Sequence, residues 1–181
     1  MENKKTNNRK IWICLAVVFI IGSILGCMKV PADTQELLKN GLVLSERDIW
    51  LRYMESNGLL LILCWVWGYF MPIFPLACLA LGYKAYTITC IGMTALAEFG
   101  RKGALFYLSG VVPHNGILML GMCLASVASA KLPYFLHEDE VIYRRERYIH
   151  GARLIPLILL LMCAAYGESV LFTRALFYLR A

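Results

Sequence analysis

Long apolar runs recur along the chain at intervals that suit membrane-spanning helices. The first run, residues 11–28, holds eighteen residues without a charge, which is close to the shortest helix that crosses a bilayer. Three further stretches, 56–97, 104–130 and 154–171, carry at most one charge each. Because irregular backbone is not tolerated against lipid, all of these stretches are predicted to be helical.

The stretch at residues 56–97 is long enough for two helices. We place the second span at about 57–79 and the third at about 85–99, separated by a turn that ends at Lys84. A charge costs about 2.5–3.5 kcal/mol at the bilayer centre and almost nothing at a cytoplasmic turn, which favours this placement of the lysine. A break at 71–75, where two prolines stand, is the competing placement.

The remaining spans are predicted at about residues 104–130 and 154–174. The fold class that follows is all-α, a polytopic integral membrane protein with about five transmembrane helices, and residues 1–181 are expected to form a single membrane domain. Composition agrees, since 60% of the residues are apolar and 17% are charged, against roughly 45–50% and 25% in soluble domains.

The connectors between the spans differ in character. Residues 29–58 predict two short helices on the membrane surface, the second starting at a capping box formed by Ser45 and Asp48. Residues 131–153 predict a solvated helix, since Glu140 precedes Arg144 by four positions.

Orientation follows from the basic residues. With a cytoplasmic N-terminus, the inner regions hold ten lysines and arginines and the outer regions hold eight. The densest clusters, at residues 8–10 and 144–147, both fall inside, which predicts N-in, C-out. An alternative for the first span is a lipoprotein signal with Cys27 as the lipidated residue, and cleavage there would remove that span.

The net charge and the positions of the cysteines limit which classes of binding partner and which roles of the cysteines are expected. The net charge of +6 suits loops that face anionic lipid, and no basic stripe interleaved with aromatic residues points to nucleic acid. The seven cysteines form no CxxC pair and lie in or beside apolar runs, so they are interpreted as small apolar residues of membrane helices.

Polar residues within the spans are few. Pro113 frees a backbone carbonyl one turn earlier, and His114 and Asn115 follow it between apolar neighbours. Such polar groups must find hydrogen-bond partners in a bilayer. The segment Pro113-His114-Asn115 therefore either joins two helices or contacts a substrate or a partner helix. Glu168, near the outer end of the last span, is compatible with a proton relay, although access to water is the simpler interpretation.

Gly100 and Gly103 bracket two basic residues between the third and fourth spans. A reversal this short predicts a positive φ at one of the glycines. No hydrolase, metalloprotease, P-loop or dinucleotide motif is present, and no histidine pair has metal-ligand spacing. The chain is therefore not expected to be an enzyme or to bind a metal or cofactor.

Several segments resemble the stage II sporulation protein M family of endospore-forming bacteria. Asn57 before GLLLILCWVWG resembles the asparagine that starts the family's second span. The stretch from Lys84 through a Gly-x-x-Gly reversal to Pro113-His114-Asn115 resembles its most recognisable region. This chain has Tyr-Lys-Ala at 83–85 where Arg-Gly is expected, and a glycine after the asparagine.

The resemblance implies a role in engulfment during sporulation, on the mother-cell side of the septal membrane. It implies two partners besides the lipid bilayer, namely a peptidoglycan amidase (stage II sporulation protein P) and a lytic transglycosylase (protein D). The fold is also similar to the membrane halves of ABC-2 type exporters. The alternative is thus a transporter subunit that works with a separate ATPase. Homo-oligomerisation stays open.

Overall fold

The computed structural model describes residues 2–28, 46–66, 69, 74–132 and 140–175, and the regular elements in these ranges are helices. Two five-residue π-helical segments follow the third and sixth helices, at Tyr107–Val111 and Glu168–Phe172. The six α-helices are α1 (Glu2–Met28), α2 (Glu46–Val66), α3 (Phe74–Phe106), α4 (Val112–Lys131), α5 (Glu140–Ala152) and α6 (Leu154–Gly167).

The chain reverses direction inside α3. Gly100 has φ 55° and ψ −126°, which lies outside the helical region and bears out the expected positive φ. After the reversal the two limbs pack so closely that a Cβ on Gly103 would overlap the Ala95 carbonyl group. Further along, a Cβ on Gly92 would lie 2.7 Å from the Tyr107 ring. The glycines therefore allow two spans to meet across a turn of very few residues.

Among the described residues, three continuous helical stretches are long and apolar enough to cross a membrane: Arg9–Met28, Leu76–Ala130 and Glu140–Ala175. Because the second stretch turns back at Gly100, it provides two crossings. The all-α, multi-pass membrane fold is confirmed. A count of about five spans includes α2, whose second half is apolar and lies in the centre of the bundle.

The break between the second and third spans differs from the favoured prediction. Helix α3 begins at Phe74, so the competing break at residues 71–75 lies nearer to the observed one. Lys84 is ten residues inside a helix and does not end a turn. The predicted surface helix after Ser45 is the first part of α2, which continues without interruption to Val66. The first of the two short helices predicted within residues 29–58 lies outside the described residues.

Helices α1 and α3 pack in parallel through glycines. A Cβ on Gly22 would overlap the Gly82 carbonyl, and a Cβ on Gly26 would lie 2.7 Å from the Tyr86 carbonyl oxygen. The Cys90 thiol lies 3.5 Å from the Gly26 carbonyl oxygen. Small residues four apart let membrane helices approach closely, and Gly22 and Gly26 have that spacing. The parallel packing places the N-terminal ends of α1 and α3 at the same end of the bundle.

Helix α2 lies between α4 and α6 in the core. It runs parallel to α4, since Gly121 faces Leu61 and the Ser129 hydroxyl donates to the Cys64 and Trp65 carbonyls at 3.2 and 2.6 Å. It runs antiparallel to α6, because Gly58 faces Leu161 while Trp65, later in α2, stacks on His150, which precedes α6. Buried apolar side chains from these helices and α3 form one core. These directions place the start of α2 and Gly100 at one end of the bundle, and α5 at the other.

Candidate functional site

Lys84 lies in the interior of the bundle. Its ammonium nitrogen sits 5.3 Å from the centroid of the Tyr53 ring, a distance typical of a cation–π contact. Glu168, from the π-helical segment after α6, lines the same cavity as Lys84. A charged side chain at this depth is costly to insert, so it is by default a candidate for function.

The His114 Nε2 atom is in direct contact with a carboxylate oxygen of Glu168, which joins α4 to the π-helical segment after α6. The histidine is 1% exposed, and its ring packs edge-on against Tyr53, with centroids 5.8 Å apart and planes at 76°. A Cβ on Gly167 would lie 3.1 Å from the His114 Cβ, so the glycine leaves room for the histidine beside the glutamate. The pair joins two spans in a place where water is scarce.

Two buried asparagines flank this pair. Asn115 donates from Nδ2 to the Val111 carbonyl at 2.9 Å, and Asn57 donates from Nδ2 to the Tyr53 carbonyl at 3.0 Å. Both bonds go to the preceding turn of the same helix. The amides therefore satisfy part of their hydrogen-bonding capacity locally, and other atoms of the cluster stay available.

The two π-helical segments border the cavity and face each other. In the first, the Val112 N–H donates to the Tyr107 carbonyl five residues earlier, directly before Pro113, which has no N–H to donate. In the second, Glu168 is the first residue and Phe172 the last. π-helical turns are often found at functional sites, because the inserted residue redirects side chains that follow it.

The cavity has a volume of about 360 Å³ and lies between α2, α3 and the two π-helical segments. It extends from the buried polar residues toward the end of the bundle that holds Gly100. Its lining residues are Ile49, Arg52, Tyr53, Ser56, Asn57, Lys84, Thr87, Ile88, Ile91, Val111, Asn115, Glu168 and Phe172.

Several buried polar atoms of this cluster have no hydrogen-bond partner among the described residues. They are the Tyr53 hydroxyl, His114 Nδ1 and Asn115 Oδ1. Buried polar groups are normally paired, so unpaired ones beside a cavity mark a place where a further group can bind.

The structure brings Asn57, Lys84, His114 and Asn115 together, although the sequence places them on three different helices. Gly100 and Gly103 lie apart from them at the helix reversal, and Pro113 is exposed at the start of α4. Sequence reasoning missed Tyr53, which it assigned to a membrane surface. It noted Glu168 without a partner. One signal in the sequence pointed to this site. Lys84 and Glu168 are each the single charged residue of an apolar run, which is typical of ionisable residues that interact inside a membrane.

A second polar cluster lies at the opposite end of the bundle, where Tyr69 and His150 of α5 lie outside the spans and contact Trp65 at the end of α2. The Trp65 indole N–H donates to the His150 carbonyl at 3.2 Å, and His150 Nε2–H donates to the Trp65 carbonyl at 3.2 Å. The two rings stack at 5.1 Å with planes 2° apart, and Tyr69 packs edge-on against His150. Burial lowers the pKa of His150 below its usual value, and burial raises that of Tyr69. The predicted Glu140–Arg144 ion pair is present in α5 at 2.6 Å.

A protein-family model described as stage II sporulation protein M matches residues 15–177. Neither a search of curated proteins nor a search of solved structures finds a match. The match covers four of the five predicted spans completely, the first span from residue 15, and both polar clusters.

Proposed function

The chain belongs to the stage II sporulation protein M family, and from this membership we propose that it is a non-enzymatic scaffold of the engulfment machinery. In this role it recruits and stabilises a peptidoglycan amidase and a lytic transglycosylase, the stage II sporulation proteins P and D. It would act in the septal membrane, on the mother-cell side. What is established is a multi-pass membrane protein of a sporulation family; the scaffold role is the step beyond it.

The observation that carries this proposal is the family match across the whole helical bundle. The location of the polar residues supports it. Tyr53, Asn57, Lys84 and Glu168 line a cavity between the helices that extends toward the end of the bundle predicted to face outward, and His114 contacts Glu168. Cell-wall hydrolases act on that side of a membrane. A scaffold can hold such enzymes through membrane helices without touching their substrate.

A transporter subunit with a separate ATPase is the second candidate, and one observation favours it. A cavity lined by Lys84 and Glu168 within the spans resembles the interior of a permease more than that of a passive anchor. In the transporter case, helix α5 at the opposite end of the bundle would be the surface for an ATPase to dock on.

Affinity purification from sporulating cells separates the two candidates. The tagged protein, solubilised in mild detergent, is expected to retain the amidase and the transglycosylase. An unrelated tagged multi-pass protein from the same cells serves as the control. Recovery of an ATPase in comparable amount, without either hydrolase, would replace the scaffold by the transporter. A fluorescent fusion of the amidase should also lose its septal position when the protein is deleted.

A further inference from the structure

The Lys84 ammonium makes no direct contact with a carboxylate among the described residues, although Glu168 lines the same cavity. In the part of the chain that the structure describes, its ammonium forms no salt bridge and no hydrogen bond, and its one aromatic contact is with Tyr53. The nearby acid, Glu168, contacts His114. An ammonium inside a membrane span whose N–H groups have no acceptor is unfavourable, and a further carboxylate that enters the cavity would supply one.

The other groups around the cavity also select an anion. Arg52, on the outer part of α2, adds a second positive charge at the mouth of the cavity. The Tyr53 hydroxyl, in a residue that is 6% exposed, is an O–H donor with no partner among the described residues. Two cations and this hydroxyl therefore outnumber the one acid, Glu168, around the cavity. The other walls are three isoleucines, a valine and a phenylalanine beside Ser56, Asn57, Thr87 and Asn115. An anionic group carried on an apolar body matches this lining.

The depth of Lys84 in the membrane distinguishes between the molecules that could carry this anionic group. It lies ten residues after the start of α3, or about 15 Å along the helix, close to the middle of a hydrocarbon core about 30 Å thick. Lipid phosphates lie outside that core, roughly 15 Å away. An acidic side chain on a membrane-spanning helix can be placed at any depth, and its helix supplies the apolar body.

We infer that the cavity between the outer halves of α2 and α3 is a docking site for a partner's transmembrane helix. An aspartate or glutamate of that helix pairs with Lys84. The inference deepens the proposed scaffold function and rests on it, since it identifies the surface by which a wall hydrolase with a membrane helix is held. The unpaired Tyr53 hydroxyl donates to the same carboxylate.

Photo-crosslinking in sporulating cells tests the site directly. Thr87 lines the cavity, and Tyr83 lies at nearly the same depth on α3 with 60% of its surface exposed outside it. With Thr87→p-benzoylphenylalanine we expect a crosslink to a hydrolase of the engulfment machinery. With Tyr83→p-benzoylphenylalanine, the matched control, we expect at least tenfold less. Crosslinks to lipid alone at both positions would overturn the inference.

Substitutions at Lys84 test the charge. Lys84→Met should reduce both the Thr87 crosslink and the co-purified hydrolase at least tenfold, and Lys84→Arg should retain most of both. The amount of each variant in the membrane is measured alongside, and a crosslink that survives unchanged in Lys84→Met overturns the inference. If Lys84→Met does not accumulate, Lys84→Glu is combined with a lysine in place of the acid on the crosslinked helix. Recovery of the complex in that pair alone supports the site, and its absence refutes it.

The two proposals fail in different ways. If the wild-type protein retains the hydrolases but the Thr87 position crosslinks no protein, the scaffold stands and the docking site is elsewhere. If the wild-type protein retains no hydrolase, the scaffold proposal fails and this inference fails with it.

Discussion

Glu168 shows how a single ionisable residue acquires its role from its neighbours. Along the sequence it is an isolated acid near the end of a span, where contact with water explains it. In the structure it pairs with His114 and shares a cavity with Lys84. Transfer of a lone charge into an apolar medium is far more costly than transfer of a pair, so these residues depend on each other for their position in the membrane.

His150 provides a prediction about pH. Its Nδ1 atom is buried without a partner among the described residues, so protonation would create a donor that nothing accepts. The pKa of the folded state is lowered, which means that the folded protein is fully stabilised above about pH 6.5. Stability is lost as the pH falls from that value through the lowered pKa of the folded state, by an amount on the order of 1 kcal/mol. Thermal unfolding of the detergent-solubilised protein at pH 8 and pH 5.5 measures it.

His150→Gln is the matched variant for this measurement. Its amide can still donate to the Trp65 carbonyl but does not titrate. The difference in unfolding temperature between the two pH values should therefore be smaller in the variant. Any contribution from His114 is common to both proteins and cancels. An unchanged difference would show that the contact between α5 and α2 is insensitive to the charge of His150.

At the level of helices, glycines determine how closely the spans approach. Gly103 lies against the Ala95 backbone at the reversal, and Gly22 lies against Gly82 between α1 and α3. In both places the obstacle to a side chain is backbone, which cannot rotate away as a flexible side chain can. Helices in a membrane pack well only when they approach closely, because an apolar side chain gains little free energy by moving from lipid to protein.

Gly103→Ala is expected to destabilise the helix reversal. The added Cβ overlaps the Ala95 carbonyl, and such overpacking costs about 1–3 kcal/mol. We predict less protein in the membrane by immunoblot and a lower unfolding temperature in detergent. Gly116→Ala is the control, because it is also a helical glycine but its Cβ would meet nothing within 4 Å. Equal behaviour of the two variants would contradict a tight contact at Gly103.

For the whole molecule, the helix directions divide the charged residues between two ends. Lys84 was counted among the ten basic residues of the cytoplasmic regions, but it lies within a span. The cytoplasmic regions therefore hold nine lysines and arginines, and the outer regions hold eight. The orientation therefore depends on the clusters rather than on the total. Arg144, Arg145 and Arg147 in α5 are exposed at the same end as Arg9 and Lys10 of α1, and such clusters are retained in the cytoplasm.

Cysteine labelling in intact cells tests this orientation. In a background without native cysteines, Arg101→Cys at the reversal should react with a membrane-impermeant maleimide. Glu146→Cys in α5 should react only after the cells are permeabilised. Both positions are at the ends of the bundle, Arg101 exposed and Glu146 half-buried, and the permeabilised sample controls for that difference in access. The reverse pattern would invert the topology and place the cavity's open end toward the cytoplasm.

The pattern of apolar runs along the chain was enough to predict an all-helical, multi-pass membrane protein, because lipid demands helices of a set length and excludes charges. The glycine reversal was equally local, since the positive φ of Gly100 follows from the few residues available for the turn. The resemblance to the family also needed only sequence, and the family match confirms it.

The tertiary structure decided the position and meaning of Lys84. The rule that a charge avoids the bilayer placed it at a turn, whereas it lies on α3 beside Tyr53 of α2 and near Glu168 after α6. These residues are far apart in the chain, and only the packing of three helices brings them together. The free-energy cost of a buried charge depends on the groups that lie next to it in space. The sequence of a single helix does not show which groups those are.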